Sequence, residues 1–183
     1  MQTLFDDTFV NGDAISDPNS FDGIDVLCDA GQTVSMGTDG DTLSLDKLDE
    51  LIDTVRGGKP DLLLMSRRSR RTLNELARGS GGFLEADRDQ FGQMVQYYDG
   101  VPIGVNDYIA DDQTVGSSTD CSTIYAMQLG EGALSGVTAP GGLTIERVGN
   151  LETKDASRIR VKWYAGLALF NTVKLARLVG VRP

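Results

Sequence analysis

Six aspartates make the strongest case for chemistry in this sequence: Asp39 and Asp41 in TDGDTLSLD, and Asp107, Asp111, Asp112 and Asp120 around a polar mid-chain stretch. Carboxylates that converged in one cleft could hold a divalent cation and support a small hydrolase or transferase, because hard cations take oxygen ligands. Asp39, Asp41 and Asp46 do not complete a calcium loop, since Leu43 stands at the next ligand position. Histidine is absent, with a count of 0, which removes the commonest general base, the usual zinc ligand and every Ser-His or Cys-His nucleophile. The glycine runs GSGG, GEGALSG and APGGLTIERVG lack the Gly-x-x-x-x-Gly-Lys-Ser/Thr pattern of a phosphate loop and read as turns. Cys28 and Cys121 form neither a metal spacing nor a Cys-x-x-Cys pair; they read as buried free thiols in a reducing cytoplasm. These residues call for no cofactor, no metal and no small-molecule substrate.

The basic residues pose a different question. Arg67, Arg68, Arg70 and Arg71, in RRSRR, are the densest positive cluster, and Arg158, Arg160 and Lys162 stud the tail. A nucleic-acid module could work through both, yet RRSRR has no aromatic neighbour to stack a base. Protein contact is the favoured reading. The plain structural reading is a solvated helix face opposite Leu73 and Leu76, some of it paired with acids of a neighbouring element. Charge is uneven along the chain: residues 1–60 hold 13 acids against 3 Lys or Arg, whereas residues 147–183 hold 8 Lys or Arg against 2 acids. Such a gradient suits copies that meet head to tail, or a fold that neutralises itself internally.

Those residues need elements to position them. LFDDTFVNGDAISDPNSFDGIDVLCDAG reads as turns with little regular structure, a short helix being allowed only within Phe21 to Ala30. Ser44 to Val55 is a clear amphipathic helix, with Leu45, Leu48, Leu51, Ile52 and Val55 on one face, Ser44 as cap and Gly57-Gly58 as stop. LLLM after Pro60 predicts a buried strand, and Ser66 starts a second helix that Gly79 closes. Asp99-Gly100 predicts a hairpin with Pro102 just inside its second strand, and Asp107 to Asp120 reads as a polar loop. Ser122 to Leu129 and Leu143 to Val148 are further strands. In the tail, Ile159, Val161 and Trp163 alternate with Arg158, Arg160 and Lys162, which predicts a strand with one wet face running on past Tyr164 into the core. Trp163 reads as core or interface filler. The longest charge-free stretch there, Trp163 to Val173, is far short of the ~20 apolar residues of a spanning helix, so no membrane is expected. Met1 to Val10, with Asp6 and Asp7, has no signal-peptide pattern.

Five stretches in order, FVNGDAISDPNSFDG, LDELIDTV with PDLLLMSRRSRRTLNELAR, YYDGVPIGVNDYI, STIYAMQLGEGALSGV and RIRVKWYAGLALFNTVKLARLVGV, resemble the C-terminal portion of tailed-phage major capsid proteins. These have the Hong Kong ninety-seven fold that encapsulins share. The resemblance implies a mixed α/β (α+β) axial-type domain, a central sheet flanked by helices, with long C-terminal strands of a partial peripheral domain. It divides the chain into a turn-rich acidic opening at 1–43, an axial-type domain at 44–150 and returning strands at 151–183. It implies a structural protein of the virion, put together in the host cytoplasm, whose partners are copies of itself in hexamers and pentamers, with packaged DNA as a further contact. It brings no catalytic residues. The candidates for subunit contact are Arg67, Arg68, Arg70, Arg71, Asp111, Asp112, Arg158, Arg160 and Lys162, with the Asp107 to Asp120 loop as a candidate for the axial tip or an inter-subunit contact. Family members carry an arm, a hairpin loop and a spine helix ahead of the NGD segment, which here lies close to Met1. The expectation is therefore a piece that folds alone without closing a shell.

Overall fold

The computed structural model describes residues 2–79, 84–88, 92–150 and 154–183. Its centre is the LLLM strand, β3 (Leu62–Met65), whose side chains alternate between two apolar layers. Leu63 and Met65 point to one layer, and Leu64 to the other. Strand β8 (Ser118–Met127) repeats the pattern beside it, with Ile124 and Ala126 on the first side and Tyr125 and Met127 on the second. A period of two with both faces apolar requires cover on both sides. Helices α3 (Leu45–Thr54) and α4 (Arg67–Gly79) cover one face, and α1 (Gln2–Asn11) and α2 (Ile24–Leu27) lie on the other.

The main sheet runs β1-β13-β8-β3-β6-β5-β4, where β1 is Thr33–Ser35, β4 Glu85–Arg88, β5 Met94–Tyr98, β6 Val101–Val105 and β13 Leu175–Arg182. Short strands β2 (Asp41–Thr42) and β7 (Gln113–Val115) pair with β13 and β8. Strands β3 and β6 are parallel, joined through α4 and the β4–β5 hairpin, while β8 is antiparallel to both β3 and β13. Two separate ribbons complete the fold: β9 (Leu134–Thr138) with β12 (Ala165–Leu169), and β10 (Thr144–Asn150) with β11 (Ser157–Lys162).

Local chemistry accounts for most boundaries. Ser44 Oγ accepts the Lys47 amide at 3.3 Å to cap α3, whose Leu48 and Leu51 are fully buried. Ser66 Oγ accepts the Ser69 amide at 3.2 Å and so opens α4 directly after β3. The turn between β5 and β6 has Asp99 at φ 47° and Gly100 at φ 76°, two left-handed residues whose twist matches that of the flanking strands.

Three readings of the sequence are corrected here. The opening is not all turns: Phe5 and Phe9 meet in a tilted ring pair one helical turn apart, Asn11 Nδ2 donates to Asp7 Oδ1 at 2.9 Å, and α1 buries Val10. The Asp107 to Asp120 segment is not only loop, since Gln113 and Val115 pair with Cys121 and Ser118 across a turn at Gly116. The tail is not one strand but three, β11, β12 and β13, each with a different partner. The chain breaks at Trp163-Tyr164 and again at a 3-10 turn, Thr172–Lys174, where Asn171 Oδ1 accepts the Val173 amide at 3.3 Å.

Candidate subunit-contact surface

The RRSRR cluster lies on the first turns of α4, next to the segment that follows β6. Arg67 donates from Nε and one terminal nitrogen to both carboxylate oxygens of Asp107, the latter bond being 2.6 Å. This pairing pushes the Arg67 guanidinium further above its ordinary value. Arg68 is more enclosed: it donates to the Asp120 carbonyl at 2.7 Å, and its Nε lies 3.4 Å from Asp111 Oδ1, an ion pair without a hydrogen bond. Arg70 is half-buried, Arg71 is exposed, and Asp112 is exposed beyond Asp111.

The six aspartates are spread over separate tasks. Asp39 Oδ1 accepts the Ser117 amide at 2.8 Å and its hydroxyl at 3.0 Å, and these bonds hold the carboxyl below its usual range. Asp41 accepts the Thr42 amide, and Asp120 Oδ1 takes Arg182 Nε at 3.1 Å. Among the described residues no three His, Cys, Asp or Glu side chains come together to hold a metal ion.

The β10–β11 ribbon is the other half of the predicted contact set. Pairing puts Ile145 opposite Val161 and Arg147 opposite Ile159 on one face, and Thr144 opposite Lys162 and Glu146 opposite Arg160 on the reverse. The first face is open: Ile145 is 68% exposed, Ile159 62% and Val161 45%. Leu143 and Tyr164 beside it are also exposed, and Trp163 is half-exposed with its indole stacked on Phe5 at 5.5 Å. Lys162 donates to Glu146 at 2.7 Å, which keeps that carboxyl below its usual range, while Arg158 and Arg160 stand in solvent. Alternation along β11 therefore marks a real apolar face, but one that the described residues leave uncovered. Sequence reasoning found the basic residues of this ribbon and missed that its apolar ones face outward. A two-stranded ribbon is marginal in water by itself, and exposed apolar side chains gathered on one face are the kind of surface that contacts between proteins cover.

No family model and no curated protein matches the chain. Solved structures do. The holo-SrpI encapsulin complex from Synechococcus elongatus PCC 7942 superposes with a TM-score of 0.79 at 19% identity, over 100% of this chain and 62% of that one. The capsid of an empty GTA particle gives 0.61 at 15% identity, over 96% and 60%. The capsid of the Myoviridae phage XM1 gives 0.59 at 15% identity, over 97% and 60%. The chain thus has the Hong Kong ninety-seven capsid-type fold and spans about three-fifths of the length of the structures it matches.

Proposed function

We propose that this chain is a structural subunit of a self-assembling icosahedral shell, a phage or prophage capsid protein or a part of one, whose work is contact with its own copies. The observation that carries this reading is the open apolar face of the β10–β11 ribbon, on a fold that encapsulin and phage-capsid structures also have. Apolar contact would supply most of the affinity and charge the orientation. Basic Arg158 and Arg160 on the reverse of the ribbon would face the acidic first third of a neighbouring copy, in rings of five or six. The exposed Arg71 and Asp112 are further candidates for that contact, and Arg67, Arg68, Arg70 and Asp111 would shape it from within the subunit. Catalysis forms no part of this reading. The virion is the proposed location, reached by assembly in host cytoplasm, with packaged DNA as a secondary contact.

Sedimentation of the chain across a concentration series tests the proposal. Reversing Arg158 and Arg160, the two that stand in solvent, to Glu is expected to weaken association about tenfold or more, the scale of losing a few favourable charge contacts, while circular dichroism stays that of the folded monomer. Unchanged association, or loss of folded monomer along with association, would overturn it, the second result making these residues intramolecular.

A further inference from the structure

A cleft of about 760 Å³ lies beside the start of α4, lined in part by the Arg67–Asp107 pair, between α1 and the carboxyl ends of β3 and β6. Two neighbouring parallel strands end there together, and the crevice outside such ends is where open α/β sheets hold ligands. Its walls are tied in place. Tyr108 N donates to Asn106 Oδ1 at 2.8 Å, Asn106 Nδ2 donates to the Asp6 carbonyl at 3.4 Å, and Asn11 Nδ2 donates to the Tyr108 carbonyl at 3.0 Å, so α1 is stapled to the segment after β6. Phe5, Phe9 and Tyr108 line it with rings.

Two arginines enter this cleft and their states differ. Arg67 is satisfied by Asp107, whereas the half-buried Arg70, one turn further along α4, has no acidic partner among the described residues, and its Nε is shut off from solvent without an acceptor. A buried guanidinium N–H without a partner is costly, and the Arg fork matches a carboxylate or phosphate. Asp6 also lines the cleft, so with Asp107 spent on Arg67 the free charges are one of each sign. We propose that this cleft binds a small ligand bearing one carboxylate or phosphate on an aromatic body, the anion on Arg70 and the ring among Phe5, Phe9 and Tyr108.

The test is an NMR titration of the isotope-labelled chain with phenyl phosphate, phenylacetate and inorganic phosphate in parallel. The expected result is saturable shifts at Asn106 and Tyr108 with a Kd of about 1 mM or tighter for a phenyl-bearing anion. The tighter of the two phenyl compounds identifies the anion type. Arg70→Met, which keeps the apolar stem, should weaken binding about tenfold or more, and Asp6→Asn should tighten it. If Arg70→Met does not fold, Arg70→Lys takes its place, with several-fold weakening expected for loss of the fork. Absence of saturation, affinity unchanged by either Arg70 variant, or equal response to inorganic phosphate would overturn the proposal. So would weaker binding in Asp6→Asn, which would mean that the Asp6 carboxylate helps to hold the ligand instead of opposing its anion.

Discussion

Tyr125 shows how single residues bind the layers of this fold together. Its ring is buried, and its hydroxyl donates to Asp25 Oδ1 at 2.9 Å, the same oxygen that takes Arg177 at 2.7 Å. Burial and then the Asp25 charge push the phenol well above its ordinary value, so it stays a donor throughout the working range. Nearby Cys28, buried beside the same group, is pushed up to about 11, chiefly by burial, which makes it an inert thiol. Asp25→Ala would strand the phenol and leave Arg177 without its carboxylate, at a cost of about 1–3 kcal/mol. Tyr125→Phe removes one bond and should cost about 1 kcal/mol. Urea unfolding of both variants checks the order; a larger loss from Tyr125→Phe would mean that the hydroxyl matters beyond its bond to Asp25. None of this network was legible in the sequence, because Asp25, Tyr125 and Arg177 are joined only by folding. The same holds for Arg67 with Asp107 and Arg68 with Asp120. The residue types of the contact set could be picked out, but not which of them the subunit itself would use up.

Elements with a strong local signal were legible from their own residues. Helix α3, strand β3, the start of α4 and the β5–β6 turn each carry a cap, a period or a turn pair that needs no distant partner. Helix α1 was missed because Asp6 and Asp7 interrupt its apolar face and turn-forming residues follow at once; Phe5, Phe9 and Val10 hold it through packing against the sheet and the Phe21 ring. The β7–β8 hairpin was missed because its fixing point, Asp39, lies 78 residues before Ser117. Gly116, at φ 59°, makes that turn. The Asp39 carboxyl is held below its usual range by the Ser117 amide and hydroxyl, so its support is fully present above the free-chain value of about 3.9 and fades as pH falls through the lower folded value. Amide exchange at Ser117 should therefore accelerate in acid before the sheet core opens, and Asp39→Asn should show fast exchange at every pH. Identical pH profiles for the two proteins would sink this assignment.

At the scale of the molecule, the acidic first third and the basic tail are only partly paired within the subunit. Asp25 with Arg177 bridges the ends of the chain and Asp120 with Arg182 ties the tail to its middle, yet Arg158 and Arg160 stay in solvent on a ribbon that projects Ile145, Ile159 and Val161 outward. Changing those three to Thr keeps residues that favour strands while removing apolar surface. Binding of a hydrophobic dye and concentration-dependent association should both fall, and the unfolding midpoint should hold to within about 1 kcal/mol, as for exposed positions. A large drop in that midpoint would place the ribbon in the subunit's own core. The capsid-type fold was legible from five weak motifs in order, since order along a chain constrains topology more than any one motif does. Which faces would lie bare was not, because burial depends on what else stacks above a strand.

Strand β13 follows every other strand in the chain yet sits in the interior of the sheet, between β1 and β8. On a ribosome, everything before it would emerge with an empty slot where its residues belong, and β1 would have no neighbour to join. Closure of the sheet must wait for translation to pass Arg182, so the halves of the layer meet late and across a long loop, which is slow. Until β13 is in place nothing bridges β1 and β8, so this side of the sheet depends on pairing across the whole span between them.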